Sequence, residues 1–223
     1  MDYKEIDRLF YRDGYRIAHQ YLEKEISPST LSSGIEQLYQ GVNDLLEAFL
    51  NRSAAEGKAS ECKKGCSWCC HQMVYAVTHE FLYISHFVQN NLSREKGQRI
   101  LEKARDKVMQ TMNKSMKEQA LLKIPCPFLD LGKCSIYQVR PMACRIYLSS
   151  SVRACKREFD EPTNERVFSD LFEFPLRAGR MMNEGFVAYL KQHGIQSSEL
   201  PMEQGYSSLI TLGQTMEGWI EGR

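Results

Sequence analysis

The chain has 223 residues, 43% hydrophobic and 26% charged, which is long enough to bury a core without disulfide staples. Lys and Arg total 29 against 28 Asp and Glu, a net charge of +1, so no global field draws it to nucleic acid, an acidic membrane or a polyanionic substrate. The first residues interleave Lys4, Glu5, Asp7 and Arg8 without an apolar leader core, and no uncharged run is long enough to span a bilayer, so the expectation is a cytoplasmic protein whose thiols stay reduced.

Residues 3–25 place Ile6, Leu9, Phe10, Ile17, Tyr21 and Leu22 mainly on one face and predict an amphipathic helix ending before Ser27-Pro28. Residues 31–55 repeat the pattern through Ile35, Leu38, Val42, Leu45, Leu46, Phe49 and Leu50, with Gly57 as the stop. From Lys58 to Gln72 there is no periodicity, so the first cysteine cluster sits in a loop. Thr78 reads as the N-cap of a helix through Asn90. Ser93 caps the next, with Glu95 in its first turn and Ile100, Ala104, Val108, Met112 and Met116 at intervals of four, a stripe that reads as core packing rather than a soft-metal surface.

Pro125-Cys126-Pro127 ends that helix, and Leu131-Gly132-Lys133 reads as a turn. Pro162 and Pro175 separate short helical stretches, and the last strong one carries Phe186, Val187 and Leu190 and stops at His193-Gly194. The tail from Ser197 is weakly patterned, with Leu209, Ile210 and Leu212 on one helix, and closes on Ile220-Glu221-Gly222-Arg223, which matches an engineered protease-cleavage sequence. No segment alternates apolar and polar residues as a large sheet requires. The expected fold is mainly α, a compact helical domain with cysteine-rich metal-binding loops between helices. Residues 1–57 form an N-terminal helical segment packed on the core, 58–195 the cysteine-cluster domain and 196–223 a C-terminal tail, in a single globular unit.

Seven of the eight cysteines fall in two clusters. Cys62, Cys66, Cys69 and Cys70 form C-x3-C-x2-C-C, and Cys126, Cys134 and Cys144 follow at wider spacing. Thiolates are soft anionic ligands that zinc and iron prefer, and a metal site commonly ties a near cluster to a distant one. These seven are the expected ligands of one or more metal centres, zinc or an iron–sulfur cluster such as [4Fe–4S]. Cys155 lies outside the clusters and reads equally as a buried apolar residue, while His71 reads as a supporting donor more readily than as a ligand. Between Lys133 and Arg157 there is no Asp or Glu but there are six basic residues. Arg140 and Arg145 among them either compensate thiolate charge or grip an anionic cofactor or substrate, and the sequence leaves both open.

At these residues the sequence resembles the YkgJ-type cysteine-cluster family, a zinc- or iron-chelating domain. The resemblance rests on Cys62-x3-Cys66-x2-Cys69-Cys70, Val74 through Thr78 with Glu80, Cys126-Pro127-Phe128-Leu129, Gly132-Lys133-Cys134-Ser135-Ile136-Tyr137 and Arg140-Pro141-x2-Cys144-Arg145, and covers roughly residues 60–150. It implies a compact metal-binding domain. Some longer relatives are flagellin lysine N-methylases that carry an iron–sulfur cluster and use S-adenosylmethionine, although this chain has no G-x-G-x-G loop.

Three functions follow as expectations: a metal-binding protein with a structural or metal-handling role, an iron–sulfur enzyme using S-adenosylmethionine, and a zinc-stabilised module docking a protein partner through its N-terminal helices. Cys62-x3-Cys66-x2-Cys69 also resembles the radical S-adenosylmethionine triplet, but helices follow it where that chemistry requires alternating strands and helices.

Overall fold

A computed structural model describes residues 3–222; Met1, Asp2 and Arg223, the last residue of the cleavage-like tetrapeptide, lie outside the described residues. The helices are α1 (Tyr3–Leu22), α2 (Pro28–Ala55), α3 (Thr78–Asn91), α4 (Arg94–Thr111), α5 (Met116–Leu122), α6 (Met142–Ile146), α7 (Val152–Asp160), α8 (Glu173–Gln192), α9 (Met202–Thr211) and α10 (Met216–Ile220). Four short strands accompany them: β1 (Tyr75–Val77), β2 (Leu129–Asp130), β3 (Lys133–Cys134) and β4 (Glu199–Pro201). β1 pairs antiparallel with β4, with Ala76 opposite Leu200, and β2 with β3, with Leu129 opposite Cys134. The fold is mainly α, with cysteine-bearing loops between helices.

Local chemistry sets the helix ends. The Ser27 hydroxyl accepts the Thr30 amide, the Thr30 hydroxyl accepts the Ser27 amide, and Pro28 takes the first helical position, where a missing N–H costs nothing. Ser93 caps α4 by accepting the Lys96 amide, and Gly57 and Gly194 end α2 and α8 at φ +86° and +80°.

One hydrophobic core joins the elements. Leu31, Ile35, Leu38 and Val42 of α2 meet Phe81 and Ile84 of α3, Phe186 and Leu190 of α8 and Tyr206 of α9, and Phe128 and Ile136 bring the second cysteine region into it. α1 and α8 run side by side in the same direction, tied near their starts by the Asp7–Arg177 ion pair at 2.6 Å and near their ends by Tyr15 donating to Gln192.

Several expectations change. The buried face of α4 is Ile100, Leu101, Ala104, Lys107 and Thr111, and Met112 and Met116 lie beyond its end, 57% and 67% exposed. A step of four overshoots a 3.6-residue turn by about 40°, so a strict four-residue stripe drifts off the core. Thr78 begins α3 without capping it and instead exchanges hydrogen bonds with Ser198. Pro175 sits in the first turn of α8, where proline is tolerated, and interrupts nothing. The tail supplies β4, α9 and α10, with Leu209 buried but Leu212 79% exposed. Among the described residues no helix is long and apolar enough to cross a membrane.

Candidate metal centre

The first cysteine loop leaves α2 at Gly57 and is pinned at once. The Ser53 hydroxyl donates to Lys58 O, the Ser60 hydroxyl and Glu61 amide donate to Ser149 O, and the Glu61 carboxylate accepts the Val152 amide at the start of α7. Gly65, at φ +95°, makes the turn in which the Cys66 amide donates to Lys63 O. A 3-10 turn, Trp68–His71, then carries Cys69 and Cys70. α7 covers this turn, with the Phe159 ring 5.3 Å from Trp68 and 4.9 Å from His71 between centroids.

The second cluster joins the first through the backbone, where the Cys126 amide donates to Cys70 O at 2.7 Å. Leu131 and Gly132, at φ +48° and +75°, form the tight turn of the β2–β3 hairpin and place Cys134 opposite Leu129. α6 presents Cys144 and Arg145.

All seven clustered cysteines, Cys62, Cys66, Cys69, Cys70, Cys126, Cys134 and Cys144, line one cavity of about 640 Å³, together with Arg140 and Arg145. Cys155 is buried in α7 outside that lining. His71 is not on the lining either, its Nδ1 lying 3.1 Å from Ser67 O. All eight thiols are free. Among the described residues no three His, Cys, Asp or Glu side chains converge to hold an ion as they stand, so the sulfurs ring a chamber rather than meet at a point.

Backbone amides face these sulfurs. The amides of Trp68, Phe128 and Ile136 donate to Cys66, Cys126 and Cys134, each two residues back, and the Ser149 amide donates to Cys62 Sγ at 3.2 Å. Such bonds stabilise a thiolate, the form that binds metal. Burial opposes them, pushing Cys126 up to about 12 and raising Cys62, Cys134 and Cys144, with Cys144 raised further by the neighbouring cysteines. The exception is Cys69, lowered to about 7 chiefly because the Cys70 thiol donates to it, with Arg140 contributing; Cys70 is raised by the same bond. Only a cation replacing the protons lets several such buried thiols ionise together, and the donor set therefore fits a soft metal centre.

Arg145 is 2% exposed and mostly engaged: it donates to Asn43 Oδ1 at 2.9 Å and to Gln138 O and Arg140 O, and its guanidinium lies 4.1 Å from the Tyr39 ring centroid. Beside it, Glu80 is 1% exposed and accepts from the Tyr39 hydroxyl at 2.8 Å, the Met142 amide at 2.7 Å and the Val77 amide at 3.1 Å. Sequence reasoning used Glu80 only as part of a pattern and missed Tyr39 and Asn43, which sit within the apolar stripe of α2. It also missed Lys107 and Glu203, an ion pair at 3.3 Å buried between α4 and α9 whose charges act on Cys126. A lysine on an otherwise apolar helix face is the signal that was available.

Fold and site together define a helical thiol-cluster protein, seven of its eight cysteines gathered on one cavity. Residues 61–166 match the model of the CxxCxxCC family, described as a "putative zinc- or iron-chelating domain". Comparison with curated proteins gives no match, nor does comparison with solved structures.

Proposed function

We propose that the seven clustered cysteines hold a zinc or iron–sulfur centre with a structural or metal-handling role. The observation that carries this reading is the convergence of two sequence-distant clusters on one chamber, with an amide N–H directed at four of the sulfurs. Cys69, the most acidic of these thiols, is the natural first point of attachment, and ligation by Cys126, Cys134 and Cys144 would draw the hairpin and α6 onto the first loop.

The test is anaerobic purification with metal and sulfide quantitation and an absorption spectrum, repeated on Cys66→Ser and Cys134→Ser. A colourless zinc protein or a brown iron–sulfur protein supports the reading, provided both substitutions lower the metal content. Unchanged metal content in both variants would overturn the two-cluster assignment.

Seven sulfurs exceed the four that either a tetrahedral ion or a single iron–sulfur cluster takes, which favours a second centre in the same chamber. An iron–sulfur enzyme that uses S-adenosylmethionine is the competing reading, because the chamber has room beside the sulfurs. Cleavage of that cofactor by the reduced, reconstituted protein would favour it.

A further inference from the structure

The chamber is larger than its sulfurs require. A four-coordinate ion with sulfurs at 2.3 Å fills a sphere of roughly 50 Å³, and even two leave most of the 640 Å³ open. The whole volume falls in the range of small-molecule sites, about 300–1,000 Å³. Away from the cysteines the walls are largely apolar, with Leu46 and Leu50 of α2 and Met73 and Val74 before β1.

Three cations line this space, Lys63, Arg140 and Arg145, and Lys63 is exposed on the first cysteine loop. Arg140 lies on its own Tyr137 ring, 4.0 Å from the centroid, and spends Nη1 on Tyr137 O at 2.8 Å. It makes no ion pair among the described residues. Arg145 holds the Arg140 backbone through Arg140 O, and its own Nε is buried without a hydrogen-bond partner. Arg145 is thus a positioning residue, and of the other two Arg140, held on Tyr137, is the preorganised group that meets a ligand, whereas Lys63 is an exposed point charge on a flexible stem.

We infer that the chamber binds a small organic monocarboxylate, its carboxylate on Arg140 and its apolar body along Leu46, Leu50, Met73 and Val74. Planar guanidinium recognises a carboxylate through paired N–H donors, and Glu47 and Glu199 on the same lining oppose a multiply charged anion. The inference rests on the metal reading to the extent that metal takes up the sulfurs' charge and leaves Arg140 to the ligand.

The test is calorimetric titration of the purified protein, metal content measured beforehand, with octanoate and with octanol and octylamine as matched probes. Octanoate is expected to bind saturably at one site, about tenfold more tightly than either control. Arg140→Gln is expected to weaken octanoate about tenfold while leaving octanol unchanged, and Arg140→Lys to restore part of the loss. Equal binding of octanoate and octanol by the wild-type protein would overturn the inference without any variant, as would no binding of octanoate. Either failure with metal still bound leaves the metal reading standing, whereas metal-free protein that still binds octanoate through Arg140 would sink the metal reading alone.

Discussion

The Cys126 amide donates to the carbonyl oxygen of Cys70 at 2.7 Å, so the two cysteine clusters, remote in sequence, are adjacent along one backbone hydrogen bond. The electrostatics repeat this. The Cys70 thiol feels Cys69, Cys126 and Cys134, and Cys144 feels Cys126, Cys69 and Cys134. If one centre spans both clusters, Cys69→Ser and Cys134→Ser each lower the metal content, and the double variant loses little more than the worse single one. Additive losses, read by elemental analysis of the three proteins, would instead indicate two separate centres.

Glu80 fixes the frame behind the chamber. Its carboxylate receives three donors, from α2, from the end of β1 and from α6, and α6 carries Cys144. Glu80→Ala strands all three and is expected to cost about 3 kcal/mol or more. Glu80→Gln keeps the shape but turns an amide toward at least one donor, and should cost less. Urea denaturation measures both, and metal content should fall in the same order because α6 loses its anchor. A Glu80→Ala protein as stable as wild type would contradict this account.

Periodicity made the long helices legible, because Leu31 through Leu46 and Phe186 through Leu190 alternate at spacings that only a helix satisfies. The candidate ligand cysteines were legible as well, since their residue type and clustering carry the chemistry. What places them was not. Tyr39, Asn43 and Glu80 act across long sequence separations, and nothing local distinguishes a buried hydrogen-bonding tyrosine from another apolar residue on the α2 stripe. The tail misled for a related reason: β4 is held by pairing with β1 and needs no strong pattern of its own.

Two glycines determine how closely α1 and α8 approach. A Cβ on Gly14 would lie 1.8 Å from Met182 O, and one on Gly185 would lie 2.0 Å from Tyr11 O. In each case the obstacle is backbone, so the helices must separate. Gly14→Ala and Gly185→Ala are each expected to destabilise by roughly 1–3 kcal/mol. Gly97→Ala in α4 is the control: its new methyl meets only the Val88 side chain at 3.5 Å, and helix propensity predicts a gain of about 0.5–1 kcal/mol. Denaturation midpoints moving the same way in all three variants would refute the close-contact argument.

Leu131 is 97% exposed and held at φ +48° in the hairpin before Cys134. A leucine gains nothing there from packing and bears the steric cost of left-handed backbone. Leu131→Asn creates the Asn-Gly pair that such turns favour and should stabilise by about 0.5–1 kcal/mol, or about 1–4 °C in Tm. Gly132→Ala, at φ +75°, should do the reverse. Calorimetry of the two variants checks both signs.

His79 gives the fold an acid limit. It is fully buried at the start of α3 with its ring 5.2 Å from Phe186, and neither ring nitrogen completes a hydrogen bond. Burial lowers its pKa to about 3, and Asn183 alongside offsets little of that. Above the ordinary value of 6.5 both folded and unfolded chains carry a neutral ring, so the group contributes no pH dependence. Between 6.5 and about 3 the unfolded chain takes up a proton that the folded chain refuses, and stability falls by about 1.4 kcal/mol per pH unit. His79→Leu removes the titrating group together with two unsatisfied nitrogens. The variant should be at least as stable as wild type at pH 7 and lose this part of the acid slope, because replacing unpaired buried polar atoms by apolar ones removes their desolvation cost. Urea unfolding of both proteins at pH 7, 6 and 5 reads the difference in slope directly; parallel slopes would show that His79 finds a partner for its proton inside the fold.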